Sequence, residues 1–183
     1  TYYGDLSDQG CVERLLEEVQ PDEIYNLSAQ SHVRISYDIP QYTVQTNALG
    51  VLSVLEAYKR TCPKAKFYQA SSSEMFGLSV DKDNFQRETT TMNPVSPYGC
   101  AKVFGYNIVR NYRRAYKLHA SNGILFNHES PRRGSNFVTS KVVKGAIRIK
   151  MGLQEKLELG NIDAYRDWGH SYDYVRAMHL MLQ

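Results

Sequence analysis

Helix-like and strand-like segments alternate along the whole chain of 183 residues. Apolar residues recur at helical spacing in one segment, as at Val12, Leu15, Leu16 and Val19, and the next segment, Glu23 to Ser28, is a short strand-like run. Parallel strands need crossover connections, and crossover helices cover both faces of the sheet. This order therefore predicts an α/β fold with a doubly wound, mostly parallel sheet.

The other elements follow from the same periodicities and from capping residues. Ser7 is predicted to cap the first helix, and Ser96-Pro97 supplies an N-cap and a first-turn proline for another. The remaining predictions are a strand end at residues 2–5, helices over 42–59, 98–117 and 137–151, strands over 66–70, 120–126 and near Leu157, and a last helix from Asp173.

Composition narrows the class of protein. The chain has 22 Lys+Arg against 19 Asp+Glu and 42% hydrophobic residues, and no apolar run reaches the roughly 18 residues of a membrane span. The cysteines Cys11, Cys62 and Cys100 lack the C-x-x-C spacing and are predicted to be reduced thiols. We expect a cytoplasmic protein with no membrane anchor, no nucleic-acid partner and no metal site, since His128 lacks partners at metal-ligand spacing.

Positive charge is concentrated in one stretch. Residues 131–156 hold seven Lys and Arg against the single acidic residue Glu155. Such a stretch is either a solvated face or the recipient of an anionic ligand such as a pyrophosphate.

The segments that follow the strands are rich in small and polar residues. They are residues 26–32, 70–77 and 127–134, and a parallel sheet binds ligands beyond the carboxyl ends of its strands. The twelve glycines never form a phosphate-binding G-x-G-x-x-G turn. Either the sheet does not bind a nucleotide, or that turn precedes Thr1; both ends of the chain look unnatural, which suggests a fragment.

Two polar sets at these strand ends suggest chemistry. Tyr98 and Lys102 lie four residues apart on one face of a helix, and a nearby ammonium favours the phenolate. Ser72 and Glu74 follow a buried strand and are candidates for substrate hydrogen bonding and acid–base catalysis. Spacing alone leaves simpler alternatives open: a surface Tyr–Lys pair, turn serines, and a glutamate paired with an arginine.

These motifs in this order resemble the extended short-chain dehydrogenase/reductases that modify nucleotide sugars, whose nucleotide-binding sheet is of the Rossmann type. Longer runs resemble one family of these enzymes, the GDP-mannose 4,6-dehydratases, across essentially the whole chain. The runs are residues 24–33 (I-Y-N-L-S-A-Q-S-H-V), 67–71, 123–134 (G-I-L-F-N-H-E-S-P-R-R-G), 136–139 and 166–169.

The resemblance implies an NADP cofactor, a GDP-mannose substrate and a homodimer or homotetramer, with helices 42–59 and 98–117 forming the dimer interface. Residues 1–130 would be the central and C-terminal part of a dinucleotide-binding domain, and residues 131–183 a mixed segment that contributes to the substrate site. The implied catalytic residues are Ser72, Glu74, Tyr98 and Lys102. The implied cofactor contacts are Asp5, Leu6, Leu27, Ser28, Ala29, Gln30, Ser31, Tyr42, Lys102, His128 and Arg133. The implied substrate contacts are Asn127, Val138, Lys141 and Arg166.

The implied reaction has no net redox change. Tyr98 would deprotonate the C4 hydroxyl while hydride passes to NADP⁺, Glu74 would remove the C5 proton and assist loss of water from C6, and hydride would return to C6. The residues themselves do not choose NADP over NAD. The chain departs from the family pattern at Ser72, usually Thr, at Ser140, usually Arg, and at Tyr165, usually Lys; the last two concern substrate affinity.

Two other functions remain open from the sequence. One is a sugar-nucleotide 4-epimerase or 4-keto reductase of the same fold, which would keep Tyr98 and Lys102 but needs no base at position 74. The other is a non-catalytic nucleotide-binding fragment.

Overall fold

The structure, a computed structural model, describes all residues from Thr1 to Gln183. The chain forms two compact units, one of residues 1–125 with 178–183 and one of residues 126–177. The functional division expected at residue 130 remains a prediction.

A three-stranded parallel sheet organises the first unit. Its strands are β1 (Glu23–Asn26), β2 (Lys66–Ser72) and β3 (Ala120–Leu125), in the order β1-β2-β3. The predicted parallel α/β fold is thereby confirmed. The first strand ends two residues earlier than expected, so the segment from Leu27 onward lies beyond the carboxyl edge of the sheet.

Helices pack on this sheet and enclose the core. They are α1 (Gln9–Val19), α2 (Val33–Asp38), α3 (Pro40–Val44), α4 (Gly50–Thr61) and α5 (Pro97–Tyr116). Leu55 and Tyr58 of α4 and Phe67 of β2 are completely buried, and the Tyr58 and Phe67 rings stack 5.7 Å apart. Burial of these large apolar side chains fixes the helices against the strands.

The start of the chain differs from the prediction. Residues 1–5 form no strand, because they pair with none of β1, β2 and β3. Asp8, not Ser7, caps α1 by accepting a hydrogen bond of 3.0 Å from the Cys11 amide. Ser7 is instead engaged by the Asp5 carboxylate, to which its backbone amide and hydroxyl each donate at 2.8 Å.

The helix predicted over 42–59 is interrupted. A π-helical turn, Gln45–Leu49, separates α3 from α4, and α2 was not predicted at all. Pro40 begins α3, where its missing N–H costs no hydrogen bond. The π turn coincides with the buried side chain of Asn47, whose hydrogen bonds run to a loop rather than along the helix.

The long helix α5 agrees with its sequence signals. Ser96 caps it, since its hydroxyl accepts from the Gly99 amide at 3.0 Å, and Pro97 occupies the first turn. Lys117, in the left-handed conformation with φ of 57°, ends it.

The second unit contains two short parallel strands and a helix. The strands are β4 (Asn127–Glu129) and β5 (Trp168–His170), and the helix is α6 (Val138–Lys150); α7 (Ser171–Leu180) follows β5. The strand predicted near Leu157 is wrong: this segment is irregular, and the Leu157 side chain packs on Gly145 of α6 instead of entering a sheet. None of the helices combines the length and apolar character that a bilayer crossing requires.

Candidate active site

Lys102 is a buried cation on the second turn of α5. The residue is only 4% exposed, and its Nζ donates to the Ala70 carbonyl oxygen of β2 at 3.0 Å. Burial disfavours the charged form and lowers the pKa of Lys102 to about 8. A lysine with such a pKa carries its charge at neutral pH and loses it in mildly alkaline solution.

Tyr98 lies one turn before Lys102 and is also buried, at 9% exposed. The Lys102 Nζ lies 5.5 Å from the centre of the Tyr98 ring. The Tyr98 amide donates to the Ser36 hydroxyl of α2 at 3.3 Å, which ties the start of α5 to that helix. The alternative of a surface Tyr–Lys pair is therefore wrong, because both residues are buried.

Ser72 and Glu74 lie where β2 ends. The Ser72 hydroxyl accepts from the Glu74 amide at 3.2 Å and caps a short 3₁₀ turn, Ser73–Met75. A Cβ at Gly99 of α5 would lie 2.7 Å from the Glu74 carbonyl oxygen, so the strand end and the helix start are in direct contact. Glu74 is half-buried and takes part in none of the ion pairs, so a pairing with arginine does not occur.

Asn47 of the π-helical turn anchors the loop after β1 through two hydrogen bonds. The Asn47 side chain accepts from the Gln30 amide at 2.8 Å and donates to the Gln30 carbonyl at 2.9 Å. The side-chain Nε2 of Gln30 donates to the Thr43 hydroxyl at 3.2 Å. Sequence reasoning missed Asn47; a polar residue within an apolar helical stretch was the available signal.

This anchoring leaves much of the loop open to solvent. Leu27 is 56% exposed, Ser28 and Ser31 are exposed, and Ala29 and Gln30 are half-buried. Tyr42 of α3 is also exposed. The structure thus brings a fixed, accessible backbone to the carboxyl edge of the sheet, beside Ser72 and Lys102 on β2 and α5.

Asp5 and Leu6 occupy a different part of the first unit, before α1. Hydrogen bonds from the backbone and then the hydroxyl of Ser7 lower the pKa of the exposed Asp5 carboxyl. Leu6 packs on Gly50 at the start of α4, where an added Cβ would lie 3.0 Å from the Leu6 Cβ.

His128 and Arg133 lie in the second unit and are each held by an aromatic ring. The His128 Nδ1 is 2.8 Å from the Phe126 carbonyl oxygen, and its ring lies 4.9 Å from the Tyr174 ring. The Arg133 guanidinium lies 3.6 Å above the Phe137 ring, and its Nε is 3.0 Å from Glu129 Oε2. The angle of the Nε contact makes it an ion pair rather than a hydrogen bond.

The four residues predicted to contact the substrate also lie in the second unit. The Asn127 backbone amide donates to the Asp167 carbonyl at 3.2 Å, and Asn127 of β4 is paired with Trp168 of β5. Arg166 therefore precedes the strand that pairs with Asn127. Val138 begins α6 and Lys141 lies one turn further; both are exposed, as is Arg166, which donates to the Tyr165 carbonyl at 2.8 Å.

The donor set of the first unit fits a nucleotide. An ammonium group carries three N–H donors, and only one of those on Lys102 has a protein partner. Leaving buried N–H groups unpaired is costly, and hydroxyl oxygens such as those of a ribose would satisfy them. The exposed loop after β1 is at the edge where parallel sheets bind nucleotides.

The sequence profile of the GDP-mannose 4,6 dehydratase family matches residues 1–183. The chain belongs to this family. It is 54% identical to the human GDP-mannose 4,6 dehydratase over 185 aligned residues and 52% identical to the enzyme of Vibrio cholerae over 184, and each alignment covers 100% of this chain and 49% of the relative. The chain therefore spans about half the length of these GDP-mannose 4,6-dehydratases.

Solved structures agree on the fold. RMD from Pseudomonas aeruginosa, complexed with NADPH, superposes with a TM-score of 0.90 at 27% identity, covering 98% of this chain and 62% of that one. This GDP-mannose 4,6-dehydratase family member thus shares its architecture with a protein whose solved structure is complexed with NADPH.

Proposed function

We propose that the full-length protein is a GDP-mannose 4,6-dehydratase, which converts GDP-mannose to GDP-4-dehydro-6-deoxy-mannose and water with NADP as its cofactor. The observation that carries the proposal is the contact between two elements. The Tyr98–Lys102 pair on α5 abuts the end of β2, where Glu74 carries a carboxylate free of ion pairs.

Each residue has a role that follows from its surroundings. Tyr98 accepts the proton of the C4 hydroxyl, because the Lys102 ammonium beside its ring favours the phenolate. Ser72 donates a hydrogen bond to the same oxygen. Glu74 removes the C5 proton, which the C4 ketone has made acidic, and delivers a proton to the departing C6 hydroxyl.

A bound nicotinamide would supply the hydride chemistry between C4 and C6 of the sugar. The chain's residues orient this group: Lys102 binds ribose hydroxyls with its unused N–H donors, and residues 27–31 present a backbone fixed by Asn47. Asp5, Leu6, Tyr42, His128 and Arg133 complete the proposed NADP contacts. The NADPH of the similar P. aeruginosa structure supports NADP over NAD.

The second unit is proposed to bind the GDP-mannose through Asn127, Val138, Lys141 and Arg166. The exposed lysine and arginine carry the positive charge that a pyrophosphate requires. Residues 131–183 would then act as the substrate segment, and residues 1–130 as part of the cofactor domain. We place the protein in the cytoplasm, consistent with three free cysteines.

The alternative reaction is that of a sugar-nucleotide 4-epimerase or 4-keto reductase. Incubation of the full-length protein with a panel of nucleotide sugars and both cofactors distinguishes the reactions. We expect conversion of GDP-mannose without accumulation of NADPH. A product that keeps its C6 hydroxyl, identified by mass spectrometry, would favour the epimerase or reductase.

We also propose that the protein is at least a homodimer through α4 and α5, with a homotetramer as the larger possibility. Leu49 before α4 and Phe104 of α5 are large apolar side chains that remain exposed, at 44% and 39%. Phe104→Glu would place a charge in such an interface. We expect sedimentation to show a smaller species for this variant than for the wild type, and an unchanged mass would exclude this surface.

A further inference from the structure

A continuous series of hydrogen bonds, all but the first of them buried, connects the loop after β1 to Lys102. The Ser28 amide donates to Asn26 Oδ1 at 3.3 Å, and Asn26 Nδ2 donates to Gln69 Oε1 at 2.8 Å. Gln69 Nε2 then donates to the Ala70 carbonyl oxygen at 3.1 Å, the oxygen that also accepts from Lys102 Nζ at 3.0 Å. Gln69 is the central member, in contact with both halves.

Gln69 occupies a position where an apolar residue would be expected. It is 1% exposed and lies on β2 directly after two completely buried aromatic residues, Phe67 and Tyr68. A buried amide is tolerated only when its polar atoms are paired. Both ends of the Gln69 amide are paired, one with the side chain of Asn26 and one with a backbone carbonyl.

The Ala70 carbonyl oxygen accepts two hydrogen bonds, one from Gln69 and one from Lys102, and so couples the positions of the two side chains. Since Gln69 Nε2 and Lys102 Nζ each lie about 3 Å from one oxygen, movement of the Gln69 amide displaces the acceptor that locates the ammonium. The other end of the same amide locates Asn26, which holds the Ser28 amide.

We propose that Gln69 is a positioning residue that sets Lys102 and the loop after β1 in one fixed geometry. Because it is only 1% exposed, it acts through its neighbours and not directly on a substrate or cofactor. The inference rests on the proposed roles of Lys102 and of residues 27–31, and it adds a residue to which neither the sequence motifs nor those roles give a function.

Gln69→Met tests the proposal, because methionine has a similar length and removes both hydrogen bonds. In the full-length protein we expect kcat for GDP-mannose to fall about tenfold and the Kd of NADPH, measured by its fluorescence, to rise about fivefold, the scale of one lost buried hydrogen bond. The KM for GDP-mannose should change less than twofold, since the residues proposed to bind the sugar nucleotide lie in the second unit.

Ser71→Ala is the matched control. Ser71 lies two residues further along the same strand, is equally buried, and donates to Asn122 Oδ1 at 3.1 Å, away from Lys102 and Asn26. It should lower the melting temperature as Gln69→Met does while leaving kcat and the NADPH Kd unchanged.

Gln69→Glu is a second variant that keeps the acceptor for Asn26 and replaces only the donor to Ala70. We expect an NADPH Kd within twofold of the wild type but a lower kcat.

The proposal is overturned if folded Gln69→Met keeps the wild-type kcat and NADPH Kd, or if Ser71→Ala alters them equally. These outcomes are distinct from failure of the proposed function. If the proposed function failed, the wild type itself would not convert GDP-mannose. The NADPH affinities of the variants would then still decide the role of Gln69.

Discussion

At the scale of single residues, the burial of Lys102 has the widest consequences. Its only hydrogen-bond acceptor in the protein is a backbone carbonyl, so no carboxylate offsets the loss of hydration. The sequence predicted a lysine close to Tyr98 but not its depth, because burial arises from contacts with β2 that are distant along the chain. The same holds for Asn47 and Gln69, whose partners are residues 17 and 43 positions away.

This burial predicts a particular dependence of stability on pH. The pKa of Lys102 is about 8 in the folded protein and 10.5 when the chain is unfolded. Between these values the unfolded state binds more protons, so stability rises with pH in this window. Relative to Lys102→Met, the wild type should gain about 2 kcal/mol of unfolding free energy from pH 8 to pH 10.

Urea unfolding of both proteins at the two pH values measures this change. Subtracting the variant cancels the titration of the other tyrosines and lysines. Lys64→Met, at an exposed position, is the control. The difference in unfolding free energy between the wild type and Lys64→Met should not change from pH 8 to pH 10. A pH-independent difference between the wild type and Lys102→Met would mean that Lys102 is not buried in solution.

Glu74→Gln isolates the dehydration step. The amide keeps the shape of the side chain but cannot accept the C5 proton, so we expect turnover to fall by a factor of about 10² to 10⁴. In the proposed mechanism oxidation at C4 depends on Tyr98, so it should persist, which a slow, substoichiometric NADPH absorbance signal would reveal. Wild-type turnover in this variant would remove Glu74 from the mechanism.

At the scale of elements, the contact between α5 and the end of β2 depends on a glycine. A Cβ at Gly99 would lie 2.7 Å from the Glu74 carbonyl and 3.0 Å from Pro94 Cβ. Because a backbone carbonyl cannot easily move, Gly99→Ala should separate Glu74 from Tyr98, lower the rate and cost about 1–3 kcal/mol of stability.

Gly105→Ala is the matched comparison on the same helix. There the nearest atom to an added Cβ is 3.5 Å away, an ordinary contact. Alanine should therefore leave activity intact and stabilise α5 by up to about 1 kcal/mol. Thermal unfolding and initial rates of the two variants check both expectations, and equal effects would show that the contact at Gly99 is not important.

The elements also show what sequence patterns can predict. The start of α5 followed from Ser96 and Pro97, because capping is a local interaction. The break between α3 and α4 did not, since the hydrogen bonds of Asn47 reach across the fold. The strand predicted near Leu157 does not form, because this segment pairs with no other strand and Leu157 packs on Gly145 of α6.

At the scale of the whole molecule, the two units divide the proposed work. The first carries Ser72, Glu74, Tyr98 and Lys102, which the sequence grouped correctly at one strand edge. The second carries the basic residues proposed to receive the sugar nucleotide. The chain belongs to the GDP-mannose 4,6-dehydratase family; the roles of both sets are proposals, and the dehydration chemistry is the central one.

The path of one hydrogen tests that proposal most directly. GDP-mannose carrying deuterium at C4 would be incubated with the full-length protein and NADP⁺, and the product analysed by NMR and mass spectrometry. We predict that the deuterium appears in the C6 methyl group, that the product has lost one water, and that NADPH does not accumulate. Deuterium recovered in free NADPH, or a product with an intact C6 hydroxyl, would contradict the account.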